Sequence, residues 1–336
     1  MATDSTKKSK TTATATKATK KKTEAVAEKK VVKKKTEVVQ TQESFSNIKI
    51  AGYKGLPLNV YVYDNVEKPK AVVLIIHGMQ EHAMRYQSFA EELNKNNFIA
   101  IASDLRGHGK TAPSIDKRGF GEKDIFTETI ADQKCLLEAI EKTFGLPIYV
   151  FGHSYGSMLT QVLVQQTHLV EKAVICGTAN GSSALMKAGG MVASLLSPFK
   201  GKESGGGLIE KVCIKSYGKK FENGNWLTRD EKVFEQYSSD PYCGGSFPFS
   251  FYKSMIKNMN KANKGIEKIG NKKLFLIAGD KDPVGSNGKQ VKQLYKLYLK
   301  KNVDASIKIY PDCRHELLNE INKNEIIKDV VDFFNS

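Results

Sequence analysis

The stretch PIYVFGHSYGSML, from Pro147 to Leu159, decides how this chain folds. Its apolar start, the break at GHSYG and the return to helix-forming residues predict a strand, a sharp turn and a helix. Glycines two residues on either side of Ser154 suit a turn that strains the serine backbone, because side chains at 152 and 156 would collide there. The following helix directs free N–H groups and the positive end of its dipole at the serine. These flanking elements favour a nucleophilic Ser154 over a chance G-x-S-x-G pentapeptide.

Strands and helices alternate on both sides of this stretch. Apolar runs rich in valine and isoleucine are typical of strands covered on both faces in a parallel sheet, and amphipathic stretches predict helices. Besides the strand that Pro147 opens, the predicted strands are 71–76, 98–102, 173–176, 273–278 and 306–310, and the predicted helices include 86–93, 129–144, 287–299 and 326–334. Segments 46–51 and 58–63 have the alternating pattern of an antiparallel edge hairpin. The predicted fold class is α/β, a mostly parallel sheet flanked by helices.

The alternation stops between residues 181 and about 260. This segment is rich in glycine, methionine and aromatic residues, among them Trp226, and it is too long for a simple loop. Such a connection is usually a lid or cap, and the three glycines at 205–207 are a candidate flexible point. Packed helices are the plainer interpretation, and short helices lying partly over a pocket mouth would satisfy both. We therefore predict an α/β domain over 45–336 with a helical cap inserted at 181–260.

A nucleophilic serine needs a base and a carboxylate that orients it, and on this kind of turn they follow in the order serine, acid, histidine. The strand after the predicted cap ends in DKDPV (280–284), which places two aspartates at the sheet edge that carries Ser154. The proline holds Asp282 in extended geometry, so we favour Asp282 over Asp280 as the acid. His315 follows the next strand and is the predicted base, because the other five histidines all precede the acid.

Two backbone N–H groups are predicted to form the oxyanion hole. Tyr155, directly after the serine, supplies one of them. Met79, in the loop after the strand 71–76, supplies the other. Backbone direction matters more here than side-chain identity.

Five motifs occur in the order found in a known enzyme family. They are HGMQEHAMRY (77–86), DLRGHGKT (104–111), GHSYG (152–156), DPV (282–284) and RHELLNE (314–320). On these motifs, residues 45–336 resemble an α/β-hydrolase of the monoacylglycerol lipase and lysophospholipase branch, which is serine aminopeptidase-like. The first two boxes are far more specific than the pentapeptide. Proline iminopeptidases usually carry glycine-proline-glycine where this chain has Gly-Met-Gln at 78–80.

The resemblance implies a serine ester hydrolase that acts on a single-chain lipid ester through the triad and oxyanion donors named above. It also implies that Glu81 and Arg85 brace the oxyanion loop. Leu318 departs from the pattern, since monoacylglycerol lipases often carry a second histidine three residues after the catalytic one. An acyltransferase, an amidase or peptidase with the same triad, and a non-catalytic scaffold tethered by a basic tail are the alternatives. No cofactor or metal is expected, because no histidine–carboxylate cluster has ligand spacing in the sequence.

The 336 residues carry a formal net charge of +16, and much of it lies at the start of the chain. Residues 1–46 hold 12 lysines against five acidic residues, with no aromatic residue before Phe45. This composition cannot build a packed core and has no apolar region of a secretory signal, so we predict a disordered Lys-rich tail over 1–44. The lysines suit an anionic membrane surface, although a solubility segment fits the same composition. The lack of interleaved aromatic residues argues against specific nucleic-acid binding.

Cysteine usage and hydropathy bear on localisation. The five cysteines are widely spaced without a C-x-x-C pair, which fits a reducing compartment, and Cys313 is interpreted as a buried thiol. No apolar run is long enough to span a bilayer. The predicted location is cytoplasmic, peripheral to a membrane through the tail, and the sequence does not indicate an oligomeric state.

Overall fold

The computed structural model describes residues 44–181, 191 and 216–336. The predicted tail, apart from Ser44, lies outside the described residues. So do 182–190 and 192–215 of the predicted cap, including its three consecutive glycines.

Strands of the described chain form one eight-stranded sheet in the order β1-β2-β4-β3-β5-β6-β7-β8. They are β1 Ser46–Ala51, β2 Pro57–Tyr63, β3 Ala71–Ile76, β4 Phe98–Ser103, β5 Ile148–His153, β6 Val170–Cys176, β7 Lys273–Gly279 and β8 Ala305–Tyr310. β2 is antiparallel to both β1 and β4, and the remaining neighbours pair in parallel. The predicted hairpin is confirmed, with β1 at the sheet edge.

Helices cover both faces of the sheet. They are α1 Gln87–Lys95, α2 Ile125–Phe144, α3 Tyr155–Leu163, α4 Glu231–Ser239, α5 Phe249–Ala262, α6 Lys289–Lys300 and α7 Lys323–Asn335. The apolar side chains of α2, α3, α5 and α6 share one core cluster, and those of α1 and α7 share the other. The central parallel strands are therefore buried on both sides, which explains why they read as continuous apolar runs. The predicted fold class is confirmed.

Among the helices with predicted bounds, the boundary that differs most from the sequence prediction is the start of α2. α2 begins at Ile125, four residues early, because the Asp124 side chain accepts a hydrogen bond from Thr127 N and caps the first turn. Asp124 also accepts one from Ser254 Oγ of α5 at 2.5 Å. α3 ends at Leu163, and His168 lies beyond the end of this helix.

The topology determines where the candidate site lies. β3, β5, β7 and β8 run in the same direction, so their carboxyl ends meet at one edge of the sheet. The loops and turns after these strands carry, in that order, Met79, Ser154, Asp282 and His315.

Candidate active site

Ser154 lies in a strained turn between β5 and α3. Its backbone angles are φ 52° and ψ −116°, in a region that side chains rarely adopt. A Cβ at position 152 would collide with the Thr160 hydroxyl, and one at 156 would collide with the carbonyl of Ile76. Ser154 N donates to Cys176 O of β6 at 2.9 Å, which fastens the turn to the neighbouring strand. The two glycines of the motif are therefore required by close packing around the serine.

The predicted acid and base lie against each other. His315 Nδ1 is 3.0 Å from Asp282 Oδ1, and the two side chains are 2% and 0% exposed. This is an ion-pair distance, but the ring N–H is not aligned with the carboxylate as a hydrogen bond. Asp282 Oδ1 also accepts from Val284 N at 2.9 Å, just beyond the proline that follows the acid. In the described part of the chain, His315 Nε2 is buried without a hydrogen-bond partner.

Asp280, the alternative acid, has a different environment. Its Oδ1 accepts from Asp312 N at 2.8 Å and lies 3.4 Å from Lys281 Nζ. Asp280 therefore ties the end of β7 to the loop that carries His315. The structure brings Asp282, and not Asp280, to the histidine.

The serine and the histidine both contact the end of β6. Ser154 N donates to the carbonyl of Cys176, and the next residue, Gly177, faces the His315 ring. A Cβ at 177 would lie 3.1 Å from His315 Cε1, closer than normal packing. Trp226 covers the same ring, with the two centroids 5.0 Å apart. The histidine is thus packed between β6 and a described part of the predicted cap.

The loop after β3, residues 77–82, is fixed by a buried histidine. His77 Nδ1 lies 2.7 Å from Gly78 O, and Leu105 N donates to His77 Nε2 at 3.0 Å. Because Nε2 accepts, Nδ1 carries the proton and donates to Gly78 O. Burial lowers the pKa of His77, which keeps it in this neutral form. Gly78 O and Met79 N–H belong to one planar trans peptide, so this hydrogen bond directs Met79 N–H the opposite way.

Glu81, Arg85 and Glu316 form a buried charged cluster beside this loop. Arg85 donates to Glu81 Oε2 at 2.6 Å and binds both Glu316 oxygens, at 2.8 and 2.7 Å. Glu81 Oε1 accepts from Gly78 N at 2.5 Å. Burial opposes ionisation of Glu81, yet Arg85 and neighbouring His153 hold its pKa well below the usual range. The cluster thereby joins the loop after β3 to the residue directly after His315. The resemblance implied that Glu81 and Arg85 brace this loop.

His153, next to the serine, belongs to the same network. Its Nδ1 lies 2.9 Å from Tyr86 Oη and 3.2 Å from Glu81 Oε1, and its Nε2 lies 3.3 Å from His315 O. Burial lowers its pKa, but the hydrogen bond and charge of Glu81 outweigh burial and raise the pKa overall. Sequence reasoning did not single out the contributions of Glu316 and His153. The signal available was their adjacency to the predicted base and nucleophile.

The two predicted oxyanion donors are available to bind a substrate oxygen. Among the described residues, the backbone N–H groups of Met79 and Tyr155 donate no hydrogen bond. Tyr155 begins α3, so its N–H has no acceptor within the helix. Its ring is buried against Phe251, with centroids 4.9 Å apart, and lies in stacked orientation beside His108 at 6.0 Å.

The DLRGHG box supports these loops. Asp104 accepts from Ala83 N and from Lys110 N, both at 2.9 Å. Arg106 makes two hydrogen bonds of 2.7 Å to buried Asp132 of α2. The box therefore acts through packing and hydrogen bonding around the site.

The fold brings together three potential metal ligands that are far apart in sequence. His82, Asp240 and Cys243 are far apart in sequence, yet their ligand atoms all lie within 4.8 Å of one another. Sequence spacing alone does not reveal this cluster, because tertiary folding assembles it. The three residues do not fit a resident ion well, because His82 Nε2 and Asp240 Oδ2 already bond each other at 2.9 Å and burial strongly raises the pKa of the Cys243 thiol.

Cys313 is a buried thiol, as predicted. Arg229 Nη2 donates to its sulfur at 3.3 Å, and the thiol lies at the same distance from Asn322 Oδ1. Burial raises the pKa of Cys313 to about 11, which keeps it protonated and poorly nucleophilic.

The fold and the site define an α/β-hydrolase. The chain matches the family model described as serine aminopeptidase, S33 (Hydrolase_4) over residues 67–322. It therefore belongs to this family, as the resemblance of its motifs predicted.

Two relatives of this chain are named as lipases. The chain is 25% identical over 284 residues to the monoglyceride lipase homolog of Monkeypox virus, covering 81% of this chain and 93% of the relative. It is 24% identical over 295 residues to the monoacylglycerol lipase of Mycolicibacterium smegmatis, covering 85% and 95%. In fold it is similar to a thermostable carboxyl esterase from Bacillus coagulans, with a TM-score of 0.79, 24% identity and coverage of 87% and 98%. Within the described residues, no helix combines the length and apolar composition needed to cross a membrane.

Proposed function

We propose that this chain is a serine hydrolase of single-chain lipid esters, of the monoacylglycerol or lysophospholipid type. The observation that carries this proposal is the strained Ser154 at the same sheet edge as the buried Asp282–His315 pair. The predicted enzyme class, a carboxylic ester hydrolase, is confirmed at that coarse level by the family and by relatives named as lipases. The particular residues and the acyl-enzyme are our assignment.

In the proposed mechanism, Ser154 Oγ attacks the ester carbonyl carbon while His315 Nε2 accepts the serine proton. Asp282 stabilises the imidazolium that forms. The carbonyl oxygen becomes an oxyanion that accepts hydrogen bonds from Met79 N–H and Tyr155 N–H. Collapse of the intermediate breaks the ester C–O bond, and His315 gives its proton to the leaving alcohol. Water, deprotonated by His315, then attacks the acyl-enzyme and releases the fatty acid.

The arrangement of these side chains in the structure is compatible with this mechanism. His315 Nε2 has no described partner, so it is available to the serine proton. His315 Nδ1 and Asp282 Oδ1 lie 3.0 Å apart, which is within hydrogen-bonding distance. Hydrogen bonds of catalytic groups are often poorly aligned before substrate binds and tighten in the complex.

Labelling with a fluorophosphonate probe tests the proposal. Wild type should be labelled, Ser154→Ala should not, and His315→Ala should label very slowly. Both variants should remain folded and lose ester turnover about a thousandfold or more, because triad members act as a unit. The matched control is Ser238→Ala, an exposed serine on α4. Substantial labelling or turnover in folded Ser154→Ala would overturn the assignment and point to another nucleophile. An unlabelled, inactive wild type would instead leave a non-catalytic scaffold.

The family description makes a peptidase the second candidate. An aminopeptidase needs a carboxylate for the substrate ammonium group, but the buried carboxylates of Glu81 and Glu316 are both bonded by Arg85. We therefore expect ester turnover to exceed turnover of aminoacyl nitroanilides. A panel of monoacylglycerols and lysophospholipids, with and without an added alcohol acceptor, would identify the lipid class and separate hydrolysis from acyl transfer. Leu318 makes the headgroup comparison informative, because glycerol recognition is where the motif departs from its family.

We also propose that the lysines of residues 1–44 hold the enzyme at an anionic membrane surface in the cytoplasm. The support is compositional: 12 lysines in a segment without a core-forming pattern, joined to an enzyme whose proposed substrates reside in membranes.

A further inference from the structure

Gln80, directly after the oxyanion donor Met79, has an unusual backbone conformation. Its φ is 60°, in the left-handed region that favours glycine, and its side chain is nearly buried, with the residue 6% exposed. A glutamine does not hold this conformation by itself. The surrounding structure must therefore stabilise it.

Three residues of the predicted cap supply that stabilisation, and we name Tyr237, Gly244 and Gly245 the cap latch. Gly244 N donates to Gln80 O at 2.8 Å, and Tyr237 Oη donates to the same oxygen at 3.2 Å. The Gln80 amide Nε2 donates to Gly245 O at 2.5 Å. Both the backbone and the side chain of Gln80 are thus bonded to the cap.

The cap latch is itself held in place on two sides. The Arg85 guanidinium lies over the Tyr237 ring, 4.8 Å from its centroid. His82 Nε2 and Asp240 Oδ2 form a contact of 2.9 Å between the same loop and the same cap segment. The cap therefore contacts the oxyanion loop on both sides of Glu81.

We propose that the cap latch is a positioning device for the oxyanion hole, an inference that rests on the proposed function. Met79 lies between two anchored residues: Gly78, held by His77 and Glu81, and Gln80, held by the cap latch. Release of the cap would remove three hydrogen bonds from Gln80 at once. The orientation of the Met79 N–H group would then no longer be fixed from this side. The oxyanion hole is therefore complete only while this part of the cap is docked, which couples cap position to catalysis.

The test is Tyr237→Phe, which removes one hydroxyl and keeps the ring over Arg85. We expect kcat to fall about tenfold, less than the loss on deleting an oxyanion donor, with KM within about twofold. Because the hole acts on the ester carbonyl, butyrate and laurate esters should lose the same factor. The matched control is Tyr295→Phe, a half-buried tyrosine on α6, which should leave both constants unchanged.

A second variant, Gln80→Ala, keeps a Cβ at the left-handed position but removes the side-chain bond to Gly245. It should lower kcat at least as much as Tyr237→Phe does. The fold-decrease in kcat of the double variant should be smaller than the product of the two single decreases, because both substitutions act through one loop. Unchanged kcat in both folded variants, or losses confined to KM, would overturn the proposal. Failure of the proposed function looks different, because either wild type would not turn over esters or Ser154→Ala would remain active, whatever the latch variants do.

Discussion

The proposed nucleophile, Ser154, illustrates how a single residue can link backbone geometry to chemistry. Ser154 has a positive φ that an ordinary residue avoids, and the cost of such strain is about 1–3 kcal/mol. Its N–H bond to Cys176 and the close contacts at Gly152 and Gly156 hold the turn in place. The strain exposes the hydroxyl at the strand end, beside the first N–H groups of α3. Local sequence, backbone strain and proposed catalysis are therefore linked at one position.

The choice between two aspartates gives the first prediction. Asp282 is fully buried against His315, whereas Asp280 bonds a backbone N–H of the neighbouring loop. Asp282→Asn should therefore lower kcat by about a thousandfold or more, because the amide cannot stabilise the imidazolium. Asp280→Asn should reduce kcat by less than about tenfold, since it alters one loop contact. Steady-state kinetics on one ester distinguishes the two, and the reverse ranking would move the acid to Asp280.

The buried charged cluster gives the second prediction. Arg85→Ala leaves Glu81 and Glu316 buried without their cation, which should lower the free energy of unfolding by about 3–5 kcal/mol. The control is Lys328→Ala, which breaks the exposed ion pair with Asp332 and should leave the free energy of unfolding nearly unchanged. Urea unfolding at neutral pH measures both. Equal effects of the two variants would show that the cluster adds no more stability than a surface pair.

At the scale of elements, the described part of the predicted cap contacts the loop of the proposed base as well as the loop after β3. Glu316 N donates to Leu227 O at 2.7 Å, and Arg314 donates to the carbonyls of Asn225 and Thr228 at 2.7 and 2.8 Å. The segment 225–228 thus fixes the loop that carries the proposed catalytic histidine, His315. The sequence predicts a cap lying partly over a pocket mouth, and the structure adds that its described part also supports the loops of the candidate site.

Substitution of Trp226 tests whether the predicted cap binds the acyl chain of the substrate. Its ring lies against His315 and Tyr217, with centroids 5.0 and 5.3 Å apart. Trp226→Ala should lower kcat/KM for all esters, because it disturbs the packing of His315. The decrease in kcat/KM should be larger for laurate than for butyrate esters, because the substitution also removes apolar surface that a long acyl chain would contact. The ratio of the two kcat/KM values is the measurement. An unchanged ratio would assign Trp226 to support of His315 alone.

Local patterns predicted the elements well and the connections between them poorly. Strands such as β3 and β5 were identifiable because burial on both faces leaves a continuous apolar signature. The Arg85–Glu316 pair joins residues 231 positions apart, so no local pattern contains it. The cap latch and the His82–Asp240 contact depend in the same way on tertiary folding. The proposed triad was accessible from sequence because each member follows a strand of one sheet.

Stability of the whole molecule should depend on pH through buried histidines. Burial lowers the pKa of His77, and it lowers the pKa of His108 to about 3, against about 6.5 in an unfolded chain. The unfolded chain therefore binds more protons below pH about 6.5, so this contribution is complete above that pH and is lost as pH falls towards 3. His153 acts in the opposite sense, since its pKa is raised in the folded state and its contribution is lost as pH rises through that raised value.

His108→Gln should flatten the pH dependence of the unfolding free energy between pH 6.5 and 4.5. One proton corresponds to a slope of about 1.4 kcal/mol per pH unit, so the variant's slope should be smaller by up to that amount. The exposed His168→Gln is the control and should keep the wild-type slope. Urea titrations at several pH values measure the slopes, and parallel curves for wild type and His108→Gln would contradict the prediction.

The last prediction concerns the lysine-rich start of the chain. A lysine near an anionic bilayer contributes about 1 kcal/mol, so a few acting together give adsorption that weakens with salt. Removal of residues 1–41 should leave turnover of a soluble butyrate ester unchanged but reduce sedimentation with phosphatidylserine vesicles. Neutral phosphatidylcholine vesicles and a full-length variant with glutamine at the 12 lysines separate charge from length. If full-length and shortened proteins sediment equally, the segment is not a membrane anchor, and a salt-sensitive gel shift of mixed-sequence DNA would point to another polyanion.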